Sequence, residues 1–461
     1  MRHMLLSFRA ANHRSLKEEQ QLLLVPAQDA PEGPDPVEPE SLRVAGIFGS
    51  NASGKSNVLN ALGFMQHMVR TSMADHEPDA GIERDPFTLD SRSLAEPSSY
   101  VVDLWTNGLR YTYGFAIDDV RVVEEWLYCY PLDGKQVVFE RDADGYRFGP
   151  DLPDSVTQVE EITDDNTLFL TVAARSKQHV VRPVYDWFAQ RLRFRSTDPG
   201  LWHGAQLLLR RLRSTDERWL PKLEELLRAA DTGIERLELK RHRPTESEIA
   251  EVEERYADAP EVLRRHRIRT LDRVDLLFHH RSADSSVRPL GIRQQSQGTI
   301  ALLNLGYQVI SALRTGSLMV VDVLDANLHP LLSTKIIELF KDPETNPRRA
   351  QLLFSSHDAA LLGWIRGRDV LGREEIWFTE KDQHGATQLF SLAEYEEEEG
   401  SDENPMLWYL TGRYGAVPEV VDSQFDAAVR DGGEDDNRAR KHGSRETTFD
   451  RRRGSAHRDA S

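Results

Sequence analysis

The chain has 461 residues, 39% of them hydrophobic, with Lys+Arg 58 against Asp+Glu 76 and a formal net charge of −18. That length allows two or three domains around a large core, and the acidic balance excludes a general attraction to nucleic acid, so any DNA or RNA contact needs a local basic patch. One cysteine, Cys129, excludes an internal disulfide and a multi-cysteine metal site; no apolar run approaches the ~20 residues of a membrane-spanning helix, and the start MRHMLLSFRAANHRS is too briefly apolar for a signal peptide, so a cytoplasmic location is expected.

Residues 4–25 alternate as two strands, Met4–Arg9 and Gln20–Val25, joined by the polar turn Asn12-His-Arg-Ser. The proline-rich, acidic stretch 26–40 reads as a surface loop. It leads to an apolar run, Arg43–Phe48, short enough for a buried strand, and then to Gly49-Ser50-Asn51-Ala52-Ser53-Gly54-Lys55-Ser56. This GSNASGKS fits the phosphate-loop pattern G-x-x-x-x-G-K-[ST] at every fixed position. Asn57 opens an apolar-periodic segment that suits a helix to about residue 72. A strand, a glycine-rich loop and a helix in that order place backbone N–H groups and a helix N-terminus around an anion, with the glycines letting the backbone wrap it closely. In such a loop Lys55 reaches the β/γ-phosphates of ATP and the Ser56 hydroxyl ligates Mg²⁺.

From Ser98 to Gly149, β-type segments separated by Asn107-Gly108 and Asp133-Gly134 predict an antiparallel meander with its aromatic residues in the core. Residues 165–270 read as helical, with a charged helical protrusion over 241–270. Its arginines could touch nucleic acid or a partner, or form a solvated face. Adjacent His279 and His280 would point to opposite faces of a strand and read as structural. Three further stretches follow: Gln294–Thr299 opening an apolar helix, the apolar run Leu318–Val321 ending at Asp322, and the apolar strand 351–355 leading to His357. Asp322, at a strand end beyond a phosphate loop, is the natural second holder of Mg²⁺. Residues 422–461 form a charged tail expected to be disordered; Arg452 and His457 within it match an R-x4-H spacing with no helix to carry it.

The order of these stretches resembles ATPases of the ABC/SMC type: the turn Ser296-Gln-Gly298-Thr299 is similar to their signature motif, Asp325–Pro330 to their D-loop and His357 to their switch histidine. The segments Phe8–Leu16, Asp322–Pro330, Ile376–Asp382 and Gly412–Pro418 resemble those of prokaryotic AAA-family ATPases with an ABC-like head found in phage-defence and abortive-infection systems, relatives of the overcoming-lysogenization-defect ATPases. The resemblance covers nearly all of residues 1–420. It implies an α/β fold: an ABC-type P-loop head, with a mixed sheet core and an antiparallel β lobe, carrying a helical insertion. Its expected parts are 1–160 (first part of the head with the phosphate loop), 161–272 (helical insertion), 273–421 (second part of the head) and 422–461 (tail).

The resemblance further implies a head-to-head homodimer or higher oligomer in which ATP on one phosphate loop is covered by Ser296 and Gly298 of a second copy. A separately encoded nuclease or toxin effector is expected, with DNA or a phage protein as trigger and no membrane partner. One departure stands out. Where the family carries a glutamate that activates the attacking water, this chain has Val323, which can neither take a proton nor hold a water. Slow hydrolysis with retained ATP binding is expected, unless Asp325 or His357 stands in. An ATP-gated DNA clamp of the SMC/repair type is the alternative reading.

Overall fold

The computed structural model describes residues 2–26, 38–75, 80–153, 155–195, 209, 219–271, 273–395, 404–418 and 421–429. It divides into two compact units. One comprises Met1–Met4 with Ala189–Phe354, the other Leu5–Phe188 with Ser355–Ser461. The fold class is mixed α/β, as expected, with antiparallel and parallel strand pairs and helices packed on them.

In the unit that holds the phosphate loop, β1 (His3–Ala11) and β2 (Gln20–Leu23) pair antiparallel around the Asn12–Ser15 turn. β3 (Val44–Phe48) is buried along its whole length and runs into the loop that opens α1 (Lys55–Asp75). Val58, Leu62, Met65 and Val69, at i, i+4, i+7 and i+11, bury one face of this helix. The meander is β4 (Ser98–Thr106), β5 (Leu109–Ile117), β6 (Val122–Tyr130), β7 (Gln136–Asp142) and β8 (Gly145–Phe148). These five strands follow β2 and β1 in one seven-stranded sheet, with each hairpin in sequence order. Cys129 is a buried free thiol on β6 whose pKa burial raises. Glu125 is fully buried; it accepts from the Tyr113 hydroxyl at 3.0 Å and from the Phe169 and Leu170 N–H groups at 2.7 and 3.0 Å.

His13 in the first turn is also fully buried. Its Nε2 lies 2.9 Å from Asn60 Oδ1, an acceptor, so Nε2 carries the proton and Nδ1 accepts from the Tyr100 hydroxyl at 2.8 Å. Burial drives its pKa from 6.5 down to about 4. The unfolded chain therefore takes up a proton near pH 6.5 that the folded chain refuses until about pH 4. Stability from this site is fully present above pH 6.5 and is lost as pH falls through that window, by roughly 3 kcal/mol at the bottom. Chemical denaturation between pH 7 and 4 is expected to show that slope, and His13→Gln to reduce it, leaving the share of His3, which burial also lowers to about 4.

In the other unit, β13 (Leu318–Val321) pairs in parallel with β9 (Leu192–Arg195) and with β14 (Gln351–Ser355). β10 (Ile234–His242), β11 (Arg273–Arg281) and β12 (Val287–Gly291) form a separate antiparallel sheet. The helices are α2 (Leu220–Ala229), α3 (Glu246–Arg255), α4 (Glu261–Leu271), α5 (Gln297–Thr315) and α6 (Pro330–Lys341). α5 is the central helix, with every residue from Ile300 to Tyr307 buried, and Gly316 closes it in the left-handed region at φ 63°. Leu223, Leu227, Leu237, Phe278 and Leu303 form the core around it.

The stretch 161–272 is not helical throughout. It contains β9 and β10, and β10 pairs with β11 beyond residue 272. The two-residue alternation of β10 (IERLELKRH) sits among charged segments whose low apolar content masked it. The protrusion itself is the helix pair α3–α4, neither of which buries a residue. His279 and His280 have structural partners: Glu238 Oε2 lies 2.8 Å from His279 Nε2, and Gln295 Oε1 lies 3.0 Å from His280 Nε2.

The chain then returns to the first unit through the small hairpin β15 (Trp364–Ile365) and β16 (Arg368–Asp369), followed by β17 (Ile376–Lys381) and β18 (Thr387–Ser391). β17 pairs in parallel with β3 and antiparallel with β18. Within the tail, Asp422–Val429 is helical, whereas 430–461, including Arg452 and His457, lies outside the described residues. Among the described residues no helix is long and apolar enough to cross a membrane.

Candidate functional site

The loop from Gly49 to Asn57 leaves β3 and turns into α1 through three left-handed residues, Gly49 (φ 149°), Ala52 (φ 63°) and Gly54 (φ 113°). Lys55 is 5% exposed, and its ammonium donates to the Gly49 and Ser50 carbonyls at 2.8 Å each. Ser53 N donates back to Ser50 O at 3.2 Å, and Asn57 N and Val58 N both reach Gly54 O. The loop is thus wound on its own lysine.

The sequence motif does not reveal what holds this loop from below. Asn57 Nδ2 donates to Ser15 Oγ at 2.6 Å, Ser15 Oγ lies 2.7 Å from Thr387 Oγ1, and Thr387 Oγ1 donates to Ser53 O at 2.9 Å. Because Thr387 spends its one hydroxyl proton on Ser53 O, it can only accept from Ser15, giving a relay with one direction. A second brace joins Ser53 Oγ to Thr379 Oγ1 at 2.6 Å. The two glycines serve these braces: a Cβ on Gly54 would overlap the Thr387 side chain, and one on Gly49 would stand 2.5 Å from the Thr379 carbonyl oxygen. Their missing side chains admit β17 and β18, a closer reason for glycine here than approach to a phosphate. Ser15 and Thr379 lie in Phe8–Leu16 and Ile376–Asp382, but no local pattern links either to the loop.

Above the loop lies a pocket of about 330 Å³ lined by Asn51, Ala52, Gly54, Lys55, Ser56, Asn57, His357 and Lys381. Ser356 N, donating to Ile47 O at 3.0 Å, holds the backbone before His357 beside β3. His357 and Lys381 are both exposed. The structure therefore gathers the loop residues and His357 in one cleft and adds Lys381, which the sequence reading did not single out. Backbone N–H groups at a helix start, two lysines and a hydroxyl fit a polyphosphate and its hard divalent cation. Among the described residues no group of three or more His, Cys, Asp or Glu is placed to hold a metal; Mg²⁺ retained by nucleotide phosphates needs no such cage.

The other expected site residues belong to the second unit. β13 is buried throughout and ends at the half-buried Asp322. Val323 follows with φ 57°, a conformation in which a β-branched side chain crowds its own backbone. The turn continues with Ala326 N to Val323 O and Leu328 N to Asp325 O, both 3.1 Å, and with Asn327 at φ 62°. His329 Nδ1 then accepts from Leu331 N at 3.2 Å to cap α6. Ser296 caps α5 by accepting from Thr299 N at 3.1 Å, and it is exposed. A Cβ on Gly298 would meet Asn327 O at 3.0 Å, so the Ser296–Thr299 and Asp325–His329 turns abut. Val323→Asn, which tolerates the left-handed region, is expected to stabilise the chain by about 1 kcal/mol in denaturant titration.

A phosphate loop of this geometry on an α/β frame defines a P-loop nucleotide-binding protein. Residues 44–363 match the family model described as "AAA domain, putative AbiEii toxin, Type IV TA system", and the chain belongs to that family of AAA/ABC-like ATPase domains. No curated protein matches it. Among solved structures it is similar to an SMC head domain from Thermotoga maritima, with 12% identity, 85% of this chain and 99% of that one covered, and a TM-score of 0.37. It is also similar to an Smc head bound to the C-terminal winged-helix domain of ScpA (12%, 84% and 97%, TM-score 0.39). A third similar structure is an Smc head with an extended coiled coil bound to the C-terminal domain of ScpA from Pyrococcus furiosus (12%, 84% and 96%, TM-score 0.39).

Proposed function

We propose that the chain is a slow, ATP-switched regulator that binds Mg-ATP on residues 49–57, dimerises on ATP, and controls a separately encoded nuclease or toxin in anti-phage defence. The observation that carries the nucleotide reading is the braced loop with its buried Lys55. In this reading Lys55 and Lys381 neutralise phosphate charge. Ser56 and Asp322 hold Mg²⁺, which supplies charge neutralisation at the reacting phosphoryl group. His357 stands beside the loop where it can sense the terminal phosphate. Ser296 and Gly298 of a second copy would cover the nucleotide, and the place of the exposed Ser296 and the half-buried Gly298 at the start of α5 suits that role. Val323 offers no base, so the ATP state persists.

The family's description, with its mention of a toxin of type IV toxin–antitoxin systems, supports a place in a two-component system. The DNA-clamp reading keeps one observation in its favour: α4 presents Arg265, Arg267 and Arg269 on a helix that buries nothing. ATP-dependent, salt-sensitive DNA affinity would select it; ATP-dependent dimerisation without DNA affinity selects the regulator. Lys55→Ala is expected to lose about 100-fold in ATP affinity by isothermal titration and to remain monomeric with ATP in light scattering. Unchanged ATP affinity would remove the nucleotide site from this loop.

A further inference from the structure

A second cleft, of about 740 Å³, opens in the other unit between α2, α5 and α6. Its apolar walls include Leu226, Leu302, Ile310, Leu332 and Ile336. Leu226, Ile310 and Leu332 also pack on the core cluster, so the base of the cleft belongs to the hydrophobic core. Gly306 lets α5 approach α2 here, since a Cβ would stand 2.9 Å from Leu226. The size falls in the usual range for small-molecule sites, and an apolar lining with few polar groups is their usual character.

Charge decides the class of ligand. Lys222, Arg314 and Arg348 line the cleft and make no ion pair with any described residue. Arg314 lies over the Trp219 ring at 4.9 Å, Lys222 follows Trp219 by three residues, and Arg348 donates to Arg314 O at 2.6 Å. The three cations therefore gather where α5 ends and α2 begins. Lys335, the fourth cation, is already paired with Glu338 at 2.9 Å; Glu225 and Glu344 are the two carboxylates on the rim. On a chain of net charge −18, a cleft whose cations Lys222, Arg314 and Arg348 outnumber its rim carboxylates Glu225 and Glu344 favours an anion with an apolar body.

The geometry points to a binding site for an amphiphilic anion, its hydrocarbon body between α2, α5 and α6 and its charged head on Lys222, Arg314 and Arg348. This site is independent of the nucleotide reading. Titration of the full chain with dodecanoate below its micellar concentration is expected to give saturable 1:1 binding. 1-Dodecanol, lacking the charge, and acetate, lacking the body, should each bind at least about tenfold more weakly. Ala229→Trp fills the cleft from an exposed position, and Arg348→Ala removes a cation. Both should weaken dodecanoate about tenfold or more while leaving the melting temperature and ATP affinity unchanged. Absence of saturable dodecanoate binding, equal binding of 1-dodecanol, or indifference to both substitutions would overturn the proposal. So would capture of a synthetic Glu/Leu amphipathic peptide with no dodecanoate binding, which would assign the cleft to a partner helix.

Discussion

Val323→Glu is expected to hydrolyse ATP at least about 100-fold faster than the parent chain under single-turnover conditions, because a positioned general base contributes about 10²–10⁴ in rate. The valine isopropyl group takes no proton and orders no water, so on the proposed reading the parent chain lacks a general base at this position. Backbone geometry argues in the same direction. At φ 57° a residue unbranched at Cβ is less crowded than valine, so glutamate enters without added strain. Val323→Gln isolates the chemistry from the geometry: it relieves the same crowding and orients water but accepts no proton, so it should remain slow. Equal, fast rates in the parent and Val323→Glu would sink the slow-turnover reading and shift the base to Asp325 or His357. A parent that dimerises with ATP for much longer than Val323→Glu would support it.

The second large effect is expected at Gly54. Alanine there meets two penalties: a φ of 113° that side-chain-bearing residues rarely adopt, and overlap with the Thr387 side chain. Lifting the loop off Thr387 also breaks the hydrogen bond to Ser53 O and the relay to Ser15 and Asn57. Gly54→Ala should therefore lose about 100-fold or more in affinity for a fluorescent ATP analogue, a loss of about 3 kcal/mol. Adding Thr387→Gly removes the overlap but not the unfavourable φ, so the double variant should recover only part of the affinity. Full recovery would show that φ costs nothing here; none would show that the brace matters more than the overlap.

These expectations also show which parts of the molecule could be read from sequence. The phosphate loop was legible because all its determinants lie within eight consecutive residues and their spacing is set by local backbone geometry. The β4–β8 meander was legible for the same reason, since each hairpin is closed by its own turn residues. β10 was not, because its alternation lies inside a charge-rich stretch and its partner β11 begins some thirty residues later. The left-handed backbone at Val323 was invisible in principle, since valine is among the residues least expected there. The braces under the loop join positions 326 and 334 residues apart, and no local pattern encodes such pairs. His13 could be seen as part of a turn, but its burial between Asn60 and Tyr100 depends on α1 and β4 arriving from elsewhere.

The long reach of that brace has a consequence for when the chain becomes able to bind nucleotide. Ser53 leaves the ribosome 334 residues before Thr387, so for most of synthesis the motif exists without the strands that shape it. The brace cannot close until Thr379 and Thr387 of β17 and β18 have been synthesised. Nucleotide competence is then a late event in the life of the nascent chain. A fragment ending before residue 387 would carry an intact GSNASGKS and lack the hairpin that gives it form.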